Sequence, residues 1–309
     1  MFLRQLEYLT ALARERHFGR AAQACHVSQP ALSAAIRKLE RELGVALVNR
    51  QQRYDDLTPE GRALLPWAQQ ALASLDGLTA EATRLRDSLT GTLRLGVIPT
   101  ALSAASLITG PLLKRHPDVR VEVRSLSSIE IGRRLADHEL DAGVTYLDNE
   151  PLGAIIATPI YDERYLFLTQ SEHPPGETIG WSELKGVPLC LLTRDMQNRR
   201  IVDAALRDAG VEASARVEAD SISALLSFAR TGWSCVTAQT WVALQGPPPG
   251  MRSLALTDPE ITHTVGLVEP ETDLVHPILR ALHDELSSHD IDGELAQRSR
   301  AARPIPGHE

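Results

Sequence analysis

The stretch AAQACHVSQPALSAAIRKLERELG, residues 21–44, constrains the fold of this chain more than any other part of the sequence. Its later apolar residues recur at helical spacing and predict one buried stripe along a helix; they are Leu32, Ile36, Leu39 and Leu43. Ser28 is expected to cap this helix, because its hydroxyl can accept a first-turn N–H, and Pro30 is tolerated in the first turn. Gly44 is expected to end the helix.

Two shorter helical segments are expected before this one. Apolar residues at helical spacing cover the first dozen residues, and Phe18 opens a second segment of small side chains, which let a neighbouring helix approach closely. Three helices with a tight turn at His26-Val27 before the third predict a helix-turn-helix. A helix packed only on its own core, with arginines on its surface, is the alternative that these residues leave open.

A flat polar face lies beside the apolar stripe of the third helix, near its N-terminus. In the major groove, Gln can hydrogen-bond adenine edges, Arg can bind guanine or phosphate, and Ser can contact either. The residues expected to contact DNA from this helix are Ser28, Gln29, Pro30, Ser33 and Arg37.

Two short apolar pieces, residues 45–48 and 54–57, follow the third helix and flank the polar run NRQQR. This pattern predicts a small hairpin with a basic tip. Such a wing is expected to contact phosphates or the minor groove through Arg50 and Arg53.

Charge is distributed unevenly along the chain. The net charge of −8 over 309 residues, taken alone, argues against a nucleic-acid partner. Residues 1–60, however, contain nine Lys and Arg against seven Asp and Glu, whereas the remainder contains 23 against 33. A small basic module attached to an acidic body is therefore expected, with DNA contacted by the module.

A long helix is expected from Pro59 to about Leu89, capped by Thr58 and kinked near Pro66, with a length of roughly 45 Å. Its apolar residues are spaced alternately four and three apart over about four heptads, which indicates a helix-helix interface between chains. Packing of this helix on its own chain is the alternative. The residues expected at the seam are Leu64, Ala68, Ala71, Leu75, Leu78, Ala82, Leu85 and Leu89.

The first seventy or so residues resemble the N-terminal region of LysR-type transcriptional regulators. The motifs that carry the resemblance are HFGRAA, SQPALS, I-x-x-LE-x-x-LG, the arginine of VNR, and LTPEG; Val48 departs from the Phe that is usual in the family. The resemblance implies a winged helix-turn-helix in residues 1–58 that binds double-stranded DNA, and a dimerisation helix in residues 59–90. It also implies self-association as a dimer or tetramer, a small-molecule effector, and RNA polymerase as a further candidate partner.

The remainder of the chain alternates short strands with helical stretches, which predicts an α/β domain of parallel sheets with crossover helices. The resemblance implies a periplasmic-binding-protein-like effector domain of two subdomains, and the segment RRLADHELDAGV resembles a conserved family segment more loosely. The expected boundaries are 91–290 for this domain, with lobe I at 91–160 and 269–290, lobe II at 161–268, crossings near Pro159–Glu163 and Val265–Pro270, and a mobile tail at 291–309.

Ligands of open α/β folds bind outside the carboxyl ends of strands, often at helix N-termini that favour anions. Several strand-to-helix junctions of this chain carry hydroxyl or other polar residues, although Ser and Thr at such places are also ordinary helix caps. A small anionic metabolite is expected between the two lobes. The candidate contacts are Thr100, Ala101, Ser127, Ser128, Thr145, Thr193, Arg194 and Ser221, with Gln197 at the same junction as Thr193 and Arg194.

Other function classes have less support. No nucleophile elbow, phosphate-binding loop, dinucleotide fingerprint or H-E-x-x-H motif is present, so no catalytic residue, cofactor or metal is expected. A redox sensor would need a partner for Cys190 or Cys235, and both lie in apolar runs typical of buried cysteine. A plain solute-binding protein is disfavoured by the winged helix and by the lack of an export signal, and a cytoplasmic location with no membrane contact is expected.

Overall fold

A computed structural model describes residues 3–49, 56–86, 88–148, 152–171, 176–212, 215–272 and 274–301. Within it the chain forms two compact units. The first comprises Met1–Gly91 with Ala136–Glu139, and the second comprises Thr92–Leu135 with Leu140–Glu309.

Four helices and a short hairpin make up most of the first unit. They are α1 (Leu3–Glu15), α2 (Phe18–Ala24), α3 (Gln29–Leu43), β1 (Val48–Asn49), β2 (Asp56–Leu57) and α4 (Pro59–Arg84). The expected helix-turn-helix is therefore present. The turn before α3 has His26 at φ +54° and is closed by the Val27 N–H, which donates to Ala22 O at 2.9 Å.

Helix α3 begins and ends at the residues expected from its caps. The Ser28 hydroxyl accepts a hydrogen bond from the Ala31 N–H at 3.4 Å, and Gly44 ends the helix in the left-handed region at φ +73°. Leu32, Ile36 and Leu39 are fully buried. The fourth residue of the expected stripe, Leu43, is 41% exposed, because it is the last residue of the helix.

The hairpin after α3 pairs Val48 with Leu57 in antiparallel register. The Glu40 carboxylate accepts hydrogen bonds from the N–H groups of Leu47 and Val48, at 3.0 and 3.2 Å, and so fixes the first strand to α3. Gly61 is required below it, since a Cβ there would lie 2.1 Å from Leu47 O. The expected basic tip, with Arg50 and Arg53, lies outside the described residues.

Helix α4 begins as expected and ends earlier. Thr58 caps it by accepting a hydrogen bond from the Gly61 N–H at 2.9 Å. It ends at Arg84 rather than near Leu89, because the N–H groups of Arg86 and Ser88 both donate to Thr83 O in a tight turn. Its 26 residues correspond to about 39 Å.

Two mixed sheets form the second unit. Lobe I contains β3 (Gly91–Val97), β4 (Val119–Ser125), β5 (Ala142–Tyr146), β6 (Ile155–Glu163) and β13 (His263–Pro270), in the order β4-β3-β5-β13-β6. Lobe II contains β7 (Tyr165–Thr169), β8 (Thr178–Gly180), β9 (Leu189–Leu192), β10 (Ala215–Ala219), β11 (Ser234–Ala238) and β12 (Arg252–Thr257), in the order β10-β9-β11-β7-β12-β8.

Helices accompany both sheets. A 3₁₀ helix (Pro99–Ala104), α5 (Ala105–Arg115), α6 (Ser128–Ala136) and α10 (Pro277–Ser288) follow strands of lobe I. A 3₁₀ helix (Trp181–Leu184), α7 (Gln197–Asp208), α8 (Ile222–Ala229) and α9 (Gln239–Gln245) follow strands of lobe II, and α11 (Ile291–Ala301) follows α10.

The expectation of parallel sheets was only half correct. Strand β3 pairs with β5 in parallel, but β13 runs antiparallel to both of its neighbours, and β7 runs antiparallel to β11 and β12. Each antiparallel pair includes a strand next to a crossing between the lobes, namely β7 after the first crossing or β13 after the second. Strand β6 was missed since Pro159 interrupts its apolar run; proline is tolerated there because β6 lies at the sheet edge.

The two crossings between the lobes adjoin each other. The chain leaves lobe I at Glu163 and enters lobe II at Tyr165, and it returns between β12 and His263. The return therefore precedes the expected Val265–Pro270, since that segment is paired along β6. Glu163 and His263 are register partners at this hinge.

The expected mobile tail is in part a helix. Residues 291–301 form α11, in which Ile291 and Leu295 are buried. Its Asp292 carboxylate accepts a hydrogen bond from the Asp162 N–H at 3.0 Å, which joins α11 to β6. Residues 302–309 lie outside the described residues. No helix in the described ranges is long and apolar enough to cross a membrane.

The hinge carboxyl of Glu163 is fully buried. Burial raises its pKa from 4.5 to about 8, although the Thr240 N–H donates to its Oε1 at 3.3 Å and partly offsets this. Between about pH 4.5 and pH 8 the unfolded chain therefore releases a proton that the folded chain retains. It follows that the free energy of unfolding falls as pH rises through this window.

Glu163→Gln is expected to flatten that dependence and to stabilise the protein above pH 8 by on the order of a few kcal/mol, because the amide keeps the shape without the titrating proton. Denaturant unfolding from pH 5.5 to 8.5, followed by tryptophan fluorescence, measures this. Glu260→Gln, at an exposed position, is the matched control. An equal pH dependence in the wild type and Glu163→Gln would contradict the account.

Candidate functional site

The polar face expected on α3 is open to solvent. Gln29, Pro30 and Arg37 are exposed, and Ser33 is half-buried beside them. Ser28 is exposed as well, but its hydroxyl is engaged in the cap. The face starts at the helix N-terminus, where side chains of a recognition helix reach base edges. The surface therefore has the residue types and the accessibility that major-groove contact requires.

A small enclosed cavity lies between the two lobes of the second unit. Its volume is about 10 Å³, room for about one water. Both lobes contribute to the wall, which is formed by Ile98, Pro99, Thr100, Ser128 and Tyr146 of lobe I and by Leu192, Met196, Gln197 and Asn198 of lobe II. The cavity is thus at the carboxyl ends of β3, β5 and β9, where α/β folds bind ligands.

Two hydrogen bonds join the lobes across this cavity. The Asn198 amide donates to the Tyr146 phenol oxygen at 3.2 Å, and the Gln197 amide donates to Asp148 O. The phenol also lies 3.3 Å from Thr100 Oγ1. Separating the lobes would break both interlobe bonds, so this is a closed arrangement of the cleft.

Two buried polar atoms at the cavity have no hydrogen-bond partner among the described residues. They are Ser128 Oγ and Gln197 Oε1, on side chains that are 0% and 4% exposed. Ser128 and Gln197 are also the first residues of α6 and α7, and no side chain caps α7. Buried polar atoms without partners are costly, so a ligand that bonds them gains affinity.

The predicted effector contacts divide into three groups. Thr100 and Ser128 line the cavity. Ala101 and Thr145 are buried without lining it, and Thr193 is half-buried at the end of β9.

Three other predicted contacts have different surroundings. Ser127 and Ser221 are caps, which accept hydrogen bonds from the N–H groups of Glu130 and Ala224 at 3.3 Å. Arg194 is exposed and lies 3.9 Å from Glu218. The alternative interpretation of hydroxyl residues as ordinary caps was correct for the two serines, whereas Arg194 points to solvent.

Sequence reasoning missed Tyr146 and Asn198. Tyr146 ends β5 inside a run that indicated only a buried strand, and Asn198 lies in the first turn of a helix whose start carries no cap. A conserved buried tyrosine at a strand end would have been the useful signal, but one sequence does not supply it.

Arg199 directly follows the cavity residue Asn198 in the sequence, but its charge is balanced by two carboxylates. Its guanidinium contacts Asp203 at 2.8 Å and Glu218 at 2.7 Å. Burial lowers its pKa, but the hydrogen bonds with these two carboxylates outweigh that and raise the pKa above its ordinary value. Arg199 is therefore a structural cation of lobe II, and the side chains described at the cavity wall carry no charge.

A larger cavity, of about 500 Å³, lies elsewhere in lobe II, against β7, β12 and α9. Its wall includes Leu166, Val242 and Met251, with the exposed Arg164 at the rim. Arg252 also lines it, but this side chain donates to Ser171 O and Gly176 O. The smaller cavity is the better candidate for a switch, because both lobes line it and two buried polar atoms of its lining residues have no partner among the described residues.

The two cysteines of the second unit are buried away from either cavity. Cys190 and Cys235 are register partners on β9 and β11, and neither forms a disulfide. Burial raises the pKa of Cys190 to about 11 and that of Cys235 to about 12. Both are therefore protonated at neutral pH, and a protonated thiol is a poor nucleophile.

Comparison with known proteins agrees with this arrangement. Residues 3–62 match the family described as bacterial regulatory helix-turn-helix protein, lysR family, and residues 86–290 match the LysR substrate binding domain. The chain is 32% identical over 283 residues to the DNA-binding transcriptional dual regulator OxyR of Escherichia coli, covering 87% of this chain and 89% of that protein. It is 39% identical over 170 residues to a probable hydrogen peroxide-inducible genes activator of Mycobacterium xenopi, covering 55% and 89%.

Solved structures of full length show the same fold. A cysteine-to-aspartate variant of OxyR from Pseudomonas aeruginosa superposes with a TM-score of 0.72 at 26% identity, covering 95% of this chain and 97% of that one. CbnR bound to its target DNA superposes with a TM-score of 0.66 at 22% identity, covering 93% and 99%. The two family matches together span most of the chain, which therefore belongs to the LysR family of DNA-binding transcriptional regulators.

Proposed function

We propose that the chain regulates transcription by binding an operator through the polar face of α3 and a small anionic metabolite in the cavity between the lobes. The observation that carries the effector site is the pair of unpartnered buried atoms, Ser128 Oγ and Gln197 Oε1, in a cavity lined by both lobes. A ligand that bonds them interacts differently with the closed and open arrangements, as a conformational switch requires.

An anionic ligand is supported by the helices at the cavity. α6 and α7 both begin at residues of its wall, and the N–H groups of a helix's first turn favour negative charge. Thr100 adds a hydroxyl at the carboxyl end of β3. The proposed contacts are thus Thr100, Ser128, Gln197 and Asn198.

Self-association through α4 is supported by exposed apolar side chains along its seam. Leu78 is 67% exposed and Leu75 is also exposed, as is Leu85, at 72%, directly after the end of α4. Ala68 and Leu89 of the expected seam are instead buried within the chain. Leu64 is half-buried and Ala71 exposed on the same seam. Apolar residues at heptad spacing that the chain does not itself cover are typical of a helix that pairs with another copy.

A response to peroxide is the second candidate, because several relatives are named as hydrogen peroxide-inducible genes activators. A cysteine-to-serine variant of Corynebacterium glutamicum OxyR, 25% identical to this chain, has also been solved with H2O2 bound. The whole chain has three cysteines, and none lines the cavity. Reversible binding of a ligand therefore fits this site better than oxidation of a thiol.

DNA recognition is testable on α3. Gln29→Ala and Ser33→Ala should weaken binding to the operator by about 1–3 kcal/mol each, because they remove base contacts, and should leave binding to random DNA nearly unchanged. Gel-shift titrations at two salt concentrations measure both, using an operator selected with the purified protein. Arg50→Ala and Arg53→Ala, at the expected wing, should instead weaken binding to all sequences and reduce its salt dependence. Equal losses on operator and random DNA for Gln29→Ala would contradict base reading.

The oligomer is testable on α4. Leu75→Glu with Leu78→Glu should give monomers in light scattering and abolish tight operator binding, because a charge in an apolar seam has no partner. The control is Ala63→Glu with Gln70→Glu, at exposed positions away from the seam. A seam variant that remains fully oligomeric would exclude α4 as the interface, unless its effector domains alone sediment as the same oligomer.

The effector site is testable by screening small carboxylates for an increase in melting temperature and a change in operator affinity. Thr100→Val should weaken binding of the active carboxylate about tenfold or more, since it leaves a polar group of the ligand without a hydrogen-bond partner. Operator binding without ligand should persist. Ser128→Ala is expected to act in the same direction.

Hydrogen peroxide is the contrasting treatment. It should leave operator affinity unchanged, and all three cysteines should still react as free thiols when the treated protein is denatured. Loss of two thiols together with a change in operator affinity would support the second candidate instead.

A further inference from the structure

The orientation of the Gln197 carboxamide is fixed by its neighbour. Its Nε2 donates to Asp148 O, and a carbonyl oxygen can only accept, so the amide nitrogen must face it. Oε1 is then the atom left at the cavity, and it has no partner among the described residues. Because an amide oxygen can only accept, any ligand group that meets it must be a hydrogen-bond donor.

The opposite wall carries hydroxyl groups. The Asn198 amide nitrogen donates to the Tyr146 phenol oxygen at 3.2 Å, and Thr100 Oγ1 lies 3.3 Å from the same phenol oxygen, where either hydroxyl can be the donor. When the phenol donates, the Thr100 proton is available to the cavity. An acceptor group on the ligand favours that arrangement.

A carboxylate is the ligand group that best fits the acceptor position. Ser128 Oγ is fully buried without a partner beside the start of α6, and α7 begins on the other side of the cavity with no side-chain cap. Two hydroxyls and the first-turn N–H groups of α7 can together bond carboxylate oxygens.

A neutral hydroxyl is the ligand group that best fits the donor position at Gln197 Oε1. None of the side chains described at the wall is a carboxylate, so an ammonium would be buried without an opposite charge, which is costly. The closed cavity of about 10 Å³ has room for about one water, so a carboxylate enters only when the lobes separate, and the smallest ligands need the least separation.

We infer that the cavity takes a small 2-hydroxycarboxylate, and that Gln197 selects it by accepting a hydrogen bond from the ligand hydroxyl. This rests on the proposed effector site and adds the chemical class of the ligand. Gln197 is the specificity-determining residue, whereas Thr100 and Ser128 bind the carboxylate that any small acid would share.

The experiment compares glycolate, acetate and glycine as calorimetric ligands of the full-length protein. Glycolate should bind about tenfold or more tightly than acetate, since acetate leaves Gln197 Oε1 unpaired, and glycine should bind no more tightly than acetate. In Gln197→Met the preference for glycolate over acetate should disappear. The affinity for acetate should change less than about threefold there, which also shows that the variant is folded.

Two controls separate the possible failures. Gln245→Met, at an exposed position, should keep the full preference, and Thr100→Val should lose glycolate and acetate together. Equal affinity for glycolate and acetate in the wild type, or no saturable binding of glycolate, would overturn the ligand class. A preference retained in Gln197→Met would overturn the role of Gln197. Unchanged glycolate binding in Thr100→Val would overturn the cavity itself and, with it, the proposed function.

Discussion

The pairing of β6 with β13 is the constraint on which the effector domain depends. These two antiparallel strands run side by side from Ile155–Pro270 to Glu163–His263, and the chain crosses between the lobes just beyond that last pair. Because both crossings lie together, the lobes can rotate about one short hinge while each sheet stays intact. The cavity lies where the lobes meet, so the ligand proposed for it would contact both lobes and bias their arrangement.

Several buried polar atoms around this hinge have no hydrogen-bond partner among the described residues. Tyr161 and Tyr165 adjoin Glu163, and burial raises the pKa of both phenols well above the usual value, with the nearby carboxyl adding to the effect. A neutral carboxyl and neutral phenols avoid a buried charge, which would be far more costly than an unpaired dipole. The buried side chains of Glu163, Tyr161 and Tyr165 are therefore polar yet uncharged near neutral pH.

The sequence predicted the DNA-binding unit better than the effector site, for a physical reason. A helix-turn-helix is built from contiguous residues, so Ser28, Pro30 and Gly44 fix the ends of α3 through local chemistry alone. The cavity is built from residues far apart in sequence, such as Thr100, Tyr146 and Asn198, which only the sheet order brings together. Local reasoning found Thr100 and Ser128 at strand ends, but it could not tell them from the capping serines Ser127 and Ser221. Strand β6 was not predicted for a similar reason, since only the fold shows that Pro159 lies on an edge strand of the sheet, where proline is tolerated.

We propose the small cavity between the lobes as the place where a metabolite acts on this regulator. Hydrogen exchange of the full-length protein with and without saturating glycolate tests it most directly, because exchange reports protection segment by segment. Glycolate should slow exchange at the first turns of α6 and α7 and around Thr100, on both sides of the cavity. Slower exchange confined to β7 and β12, around the larger cavity, would contradict it.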